Sequence, residues 1–211
     1  MITAEIAPGV TLRLAVPEDA REEAEGALPK IDVSAVPGAK VVLRRGAASA
    51  ATTVRAACVT APSDRWAPGI EELVLGRATG LATAGLGATA DRWEAAPIAA
   101  AGGRFEQRVT GRAGDREVAV IRHTLGFVGP GHDVLLCSVG CSGAACGDVL
   151  AETELTGPLV GPPPPSVLVR AALLVAERPY EAAACAAVVG AVIVAALIAR
   201  RPKVPGRRRF P

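Results

Sequence analysis

Aromatic side chains are scarce: two Trp, one Tyr and three Phe in a chain of 211 residues. A stacking platform for bases or sugars has little to be built from. Histidine is scarcer still, His123 and His132 alone, so a serine or cysteine nucleophile has few bases to activate it. An excess of positive charge on the folded body is also missing. The formal net charge is +2, and six of the 23 basic residues crowd between Arg200 and Arg209, which leaves the rest of the chain near neutral. That argues against a nucleic-acid-binding domain, whose surplus of Lys and Arg sits on the folded surface. Lysine is rare beside arginine and alanine is abundant; a GC-rich coding sequence produces both without selection on chemistry. Met1 to Lys30 lacks a positively charged start followed by an apolar run. Glu18, Asp19, Glu22, Glu23 and Glu25 fall where a signal peptide is hydrophobic, so no secretory signal is expected there.

What is present suggests a membrane anchor. Ala182 to Ala199 holds 18 residues without a charge, near the length that crosses roughly 30 Å of hydrocarbon as a helix. Val188, Val189, Val192, Ile193, Val194, Leu197 and Ile198 contribute roughly −2 to −4 kcal/mol to insertion. Arg200, Arg201, Lys203, Arg207, Arg208 and Arg209 follow, suited to anionic lipid headgroups. Upstream, GPLVGPPPP from Gly157 reads as an extended, semi-rigid spacer, because proline fixes φ and cannot donate to a ladder. The expected organisation is a globular domain over 1–156, a Pro-rich spacer over 157–166, a juxtamembrane segment over 167–181, a transmembrane helix over 182–199 and a basic tail over 200–211.

Inside the domain, Val10 to Val16 alternates apolar and polar residues as a half-buried strand does, and Lys40 to Arg44 and Thr53 to Val59 read likewise. From Pro68 to about Ala84, apolar residues at Ile70, Leu73, Val74, Ala78 and Leu81 mark an amphipathic helix that Gly85 or Gly87 ends. Three further runs, Arg104 to Thr110, Glu117 to Phe127 and Asp133 to Cys141, are separated by the turn formers GRAGDR and GPGH. They predict an antiparallel meander. Ala119, Ile121, Leu125 and Phe127 share one face of the middle run, and Leu135, Cys137 and Val139 share one face of the last. A short helix over Gly147 to Thr156 is expected to close the domain. The fold class predicted is α+β: an antiparallel meander sheet packed against one long helix, with a C-terminal single transmembrane helix.

The helix from Ile70, Trp93 shortly after it, the run Gly103-Arg104-Phe105-Glu106-Gln107-Arg108 and the strand Asp133 to Val139 together resemble the PsbP/Mog1-like α+β fold, which includes the DcrB-like family. The resemblance spans about Ile6 to Thr156 and rests on pattern. Members of that fold are generally small non-enzymatic binding or accessory proteins, so it implies a binding role and transfers no site residue. The cysteines depart from it, since the fold does not require them.

Candidate chemistry centres on those cysteines. Cys137 and Cys141 on one strand sit roughly 13 Å apart, beyond the reach of a disulfide. Cys141 with Cys146, or Cys58 with Cys137 from a neighbouring strand, remain open pairings. Free buried thiols are the expectation in a reducing compartment. Cys137, Cys141, Cys146 and His132 are a weak zinc set, because no C-x2-C knuckle fixes two ligands locally. His123 falls on the apolar row of its strand, the place of a hydrogen-bonded core or rim histidine, and His132 lies in a turn. Gly80 to Gly87 looks superficially like a phosphate loop, yet it follows a helix and no Lys-Ser/Thr closes it. The acidic cluster near Glu22 reads as a solvated face. No catalytic set and no cofactor motif is legible.

The sequence thus suggests a single-pass, tail-anchored membrane protein whose domain, placed in the cytoplasm, binds a partner protein or peptide at the bilayer surface without catalysis, with no nucleic acid involved. The alternative is an exported, disulfide-containing binding or sensor domain; a Cys- or Zn-dependent enzyme ranks last.

Overall fold

The computed structural model describes residues 1–64, 66–144 and 146–164. In chain order the strands begin with β1 (Ile2–Ala7), β2 (Val10–Leu14), β3 (Arg21–Glu22), β4 (Lys40–Ala48) and β5 (Thr52–Ala61). Helix α1 (Ile70–Leu86) follows, then β6 (Arg92–Ala95), β7 (Ala99–Ala101), β8 (Arg104–Ala113), β9 (Arg116–Val128) and β10 (Asp133–Gly143). Helix α2 (Cys146–Glu152) and β11 (Glu154–Thr156) end the series. Eight strands form the main sheet in the order β3-β4-β5-β10-β9-β8-β6, with β7 also on β8. A second, three-stranded sheet has the order β1-β2-β11.

The predicted meander is β8-β9-β10, antiparallel throughout. Its middle strand is buried almost without a break from Ala119 to Val128, Arg122 excepted, because layers cover both faces of the sheet. On one face Val54, Ala56 and Cys58 of β5 and Leu135, Cys137 and Val139 of β10 meet Val10, Leu12 and Leu14 of β2 and Val149 and Leu150 of α2. On the other, Leu125 and Phe127 of β9 pack with Trp66 and with Leu75 of α1, and Ile121 packs with Leu86. The alternation of each strand therefore assigns its residues to one core or the other. Trp66 stands edge-on to Phe127, with ring centroids 4.8 Å apart, a favoured aromatic geometry.

Several expectations need correction. The fold class is mostly β: eleven strands stand beside two α-helices among the described residues, so an even α+β division does not describe it. The closing helix stops at Glu152 and the chain then enters β11, because Glu154 to Thr156 pairs with Thr11 to Arg13 of β2. On α1, Leu73 is 58% exposed and Leu81, at the rim of a recess, is 55% exposed, while Leu75 is fully buried. Among the described residues no helix is long and apolar enough to cross a membrane. The 17-residue α1 carries Glu71, Glu72 and Arg77, and charged groups are costly in hydrocarbon. The membrane and tail-anchor reading therefore finds no support among the described residues. Its anchor residues from Val188 to Ile198, its headgroup residues Arg200 to Arg209 and the juxtamembrane segment lie outside the described residues. Of the expected spacer, Val160 donates its N–H to the Phe127 carbonyl at 2.9 Å.

Candidate functional site

The cysteines are placed by strand register. Cys58 on β5 stands directly opposite Cys137 on β10, at a Cα separation of 4.1 Å, and the two are bonded. Cys141, two pleats further along β10, reaches over the turn to Cys146 at the start of α2, with a Cα separation of 5.3 Å, and these are bonded too. All four are buried. The disulfides take up every described cysteine, so Cys137, Cys141 and Cys146 offer no thiolate to a metal. His132 lies apart in its turn at φ 53°, its Nδ1 bonded to the Gly161 carbonyl at 3.0 Å. Two buried disulfides belong to an oxidising compartment. The expected cytoplasmic placement with free thiols is not supported by these bonds.

His123 is fully buried between α1 and the sheet. The Thr79 hydroxyl donates to the Leu75 carbonyl at 3.0 Å, so it accepts from His123 Nε2–H, 3.0 Å away. Nδ1 is then an acceptor, and the Ser138 hydroxyl donates to it at 2.8 Å. Burial pushes the imidazole pKa down to about 4. A serine bonded to a histidine looks like part of a nucleophilic triad, but a hydroxyl stands where such a triad places an orienting carboxylate. With so low a pKa the ring is also a poor proton acceptor near neutrality. The network ties α1 to the middle of the sheet.

Arg122 was silent in the sequence. Its guanidinium crosses to the far core and donates to the carbonyl of Leu150 at 2.9 Å and to that of Thr153. These are carbonyls at the end of α2, where a helix leaves its acceptors unpaired and favours a cation. Desolvation lowers the Arg122 pKa, with the Glu106 charge acting in the opposite direction.

A cavity of about 110 Å³ opens on the α1 side of the sheet. Its floor is made of small or short side chains, Ala57 and Val59 on β5 and Ser138 and Gly140 on β10. One wall is the C-terminal half of α1, through Ala78, Leu81, Ala82 and Leu86. The other is a strap, residues 21–31, which contributes Leu28, Pro29 and Ile31. A Cβ on Gly140 would stand 2.7 Å from Leu86 Cδ1, so glycine there lets the end of α1 lie close over the sheet.

Carboxylates bind the strap down. Glu23 receives two hydrogen bonds from Arg55, at 2.9 and 2.7 Å, and that guanidinium also bonds the Gly85 carbonyl at the end of α1. The Arg55 hydrogen bond, with its charge in a smaller role, lowers the Glu23 pKa against the effect of burial. Glu25 meets Arg44 at 3.3 Å, and Arg44 contacts the Pro29 carbonyl at the same distance. Glu22 pairs with Arg45 at 3.1 Å, on the opposite face of the sheet from the cavity, since Arg45 stands across from buried Ala56. The acidic cluster is largely solvated as expected, with Glu22 49% and Glu25 78% exposed, and Glu23 is the member that fastens the cavity wall. The cluster's partners lie 19 to 32 residues away in sequence, beyond any local pattern.

No family model matches the chain, and no curated protein matches it. The PsbP/Mog1-like family is therefore not shown. Among solved structures, the crystal structure of LpqN, described as involved in cell envelope biogenesis of Mycobacterium tuberculosis, is similar at 16% identity with a TM-score of 0.32. The match covers 71% of this chain and 86% of that one. A likeness of that degree carries no argument about function.

Proposed function

We propose that this chain carries an exported, disulfide-stapled binding or sensor domain, acting without catalysis, whose ligand site is the cavity between α1, the sheet and the 21–31 strap. The observation that carries the reading is the pair of buried disulfides, Cys58–Cys137 and Cys141–Cys146. Such bonds persist in secreted and periplasmic settings and are reduced in the cytosol. The cavity supplies the binding half: it is a concave, mostly apolar recess with a few polar groups at its edge, the form of a small-molecule site but smaller than most, which suits partial enclosure of a ligand. The one serine–histidine pair described above is a weak base system, which favours binding over chemistry.

The test is protease accessibility. Cells producing the full chain with an N-terminal epitope tag are treated with a protease that does not cross the cytoplasmic membrane, the outer layers having been permeabilised. Loss of the tag from intact cells is the expected result. A tag protected until the cytoplasmic membrane is lysed overturns the export reading.

A further inference from the structure

We infer that the cavity beside α1 receives part of an amphiphile with an aliphatic chain and a carboxylate head, a medium-chain fatty acid in class, whose head is received by Arg44; the recess of about 110 Å³ encloses a few methylenes and the rest of the chain lies on the exposed apolar rim at Leu81. This rests on the binding reading above and names the ligand chemistry of the same site. The chain portion follows from the walls. Leu81, Ala82 and Leu86 of α1 face Ala57, Val59 and Leu136 of the sheet across the recess, and such walls reward a flexible hydrocarbon more than a polar ring. Leu81 is 55% exposed at the rim, so apolar surface continues out to solvent and a chain buries it on entry.

The head portion follows from comparing two of the three arginines that line the cavity, Arg55 and Arg44, the third, Arg45, being paired with Glu22 on the other face of the sheet. Arg55 is committed: Glu23 holds it through two short charge-assisted bonds with both side chains largely covered, 26% and 16% exposed, the strong kind of pair. Arg44 is held loosely. Arg44 is 23% exposed, much as Arg55 is, but its carboxylate partner Glu25 is 78% exposed and its two contacts both measure 3.3 Å, long for a charge-assisted bond. Exposed pairs of that kind contribute little. A ligand carboxylate can therefore replace Glu25 on Arg44 at small cost, while Glu23 keeps the strap fastened through Arg55. Ser138 is no competing head-binding group, because its hydroxyl is given to His123.

The experiment is calorimetric titration of the oxidised full chain with decanoate, decanol and decyltrimethylammonium, repeated with Arg44→Gln and Ala57→Leu. Decanoate is expected to bind the wild-type protein at least tenfold more tightly than decanol, and decyltrimethylammonium more weakly than either. Arg44→Gln should bring decanoate down to the level of decanol. Ala57→Leu, which fills the floor, should remove both while the circular dichroism spectrum is unchanged; should it misfold, Ala82→Leu on the opposite wall serves in its place. Equal binding of decanoate and decanol, or no effect of Arg44→Gln, overturns the carboxylate assignment and leaves the cavity as a binding site. Absence of binding by all three to folded wild-type protein overturns the fatty-acid class, and protease accessibility judges the export reading separately.

Discussion

The two disulfides differ greatly in the length of chain they close, and the difference sets how much each stabilises the fold. Cys58 and Cys137 are 79 residues apart, Cys141 and Cys146 only 5. Constraining the unfolded chain by the first contributes about 4.5 kcal/mol on the loop-entropy relation, and by the second about 2 kcal/mol. Both pairs lie in the same core with every sulfur buried. Replacing each pair by alanines therefore removes similar packing, and that common loss largely cancels between the two double variants. Cys58→Ala/Cys137→Ala should be less stable than Cys141→Ala/Cys146→Ala by about 2.5 kcal/mol, or roughly 5–10 °C in Tm for a domain of this size. Urea unfolding followed by tryptophan fluorescence measures it, with the slope checked for a single transition. Equal stabilities, or the reverse order, would refute the reasoning that chain closure dominates.

Three further outcomes are expected. His123 has its pKa lowered from 6.5 to about 4, so the unfolded chain binds this proton more readily than the folded one. Its contribution is complete above pH 6.5 and is lost as pH falls towards 4, about 3 kcal/mol in all; His123→Gln should flatten the pH dependence of the urea midpoint in that window. Arg122→Met leaves the carbonyls of Leu150 and Thr153 without their cation and should cost about 2–3 kcal/mol in urea unfolding. A Cβ on Gly46 meets Glu23 and stands 2.7 Å from Leu28 Cδ2. Gly46→Ala should therefore lift the strap and cost about 1–3 kcal/mol, with limited proteolysis appearing first within residues 21–31.

The central strands were legible because their signals are local. GRAGDR and GPGH bracket β9, and alternation within β9 and β10 named the residues that share a face. The same alternation could not say that the two named faces look in opposite directions, since that depends on layers contributed by α1 and by β2. Short edge strands escaped for a related reason: Arg21–Glu22, Ala99–Ala101 and Glu154–Thr156 are too brief to show a period, and tertiary pairing alone makes them strands. The Cys58–Cys137 pairing stayed open because the adjacency of β5 and β10 skips α1 and four strands of sequence. The candidate site was the least legible part. Ala57, Ala82 and Gly140 form a cavity by what they leave empty, and emptiness has no sequence signature. Thr79 lies 44 residues from the His123 it binds, so only the polar residue on an apolar row was visible in advance.

The oxidised state of the domain bears most directly on the whole account. Cells producing the full chain are quenched in acid, free thiols are alkylated, and the purified protein is digested without reductant and mapped by mass spectrometry. The account predicts linked peptides joining Cys58 to Cys137 and Cys141 to Cys146. Recovery of these four cysteines as separately alkylated peptides would contradict it.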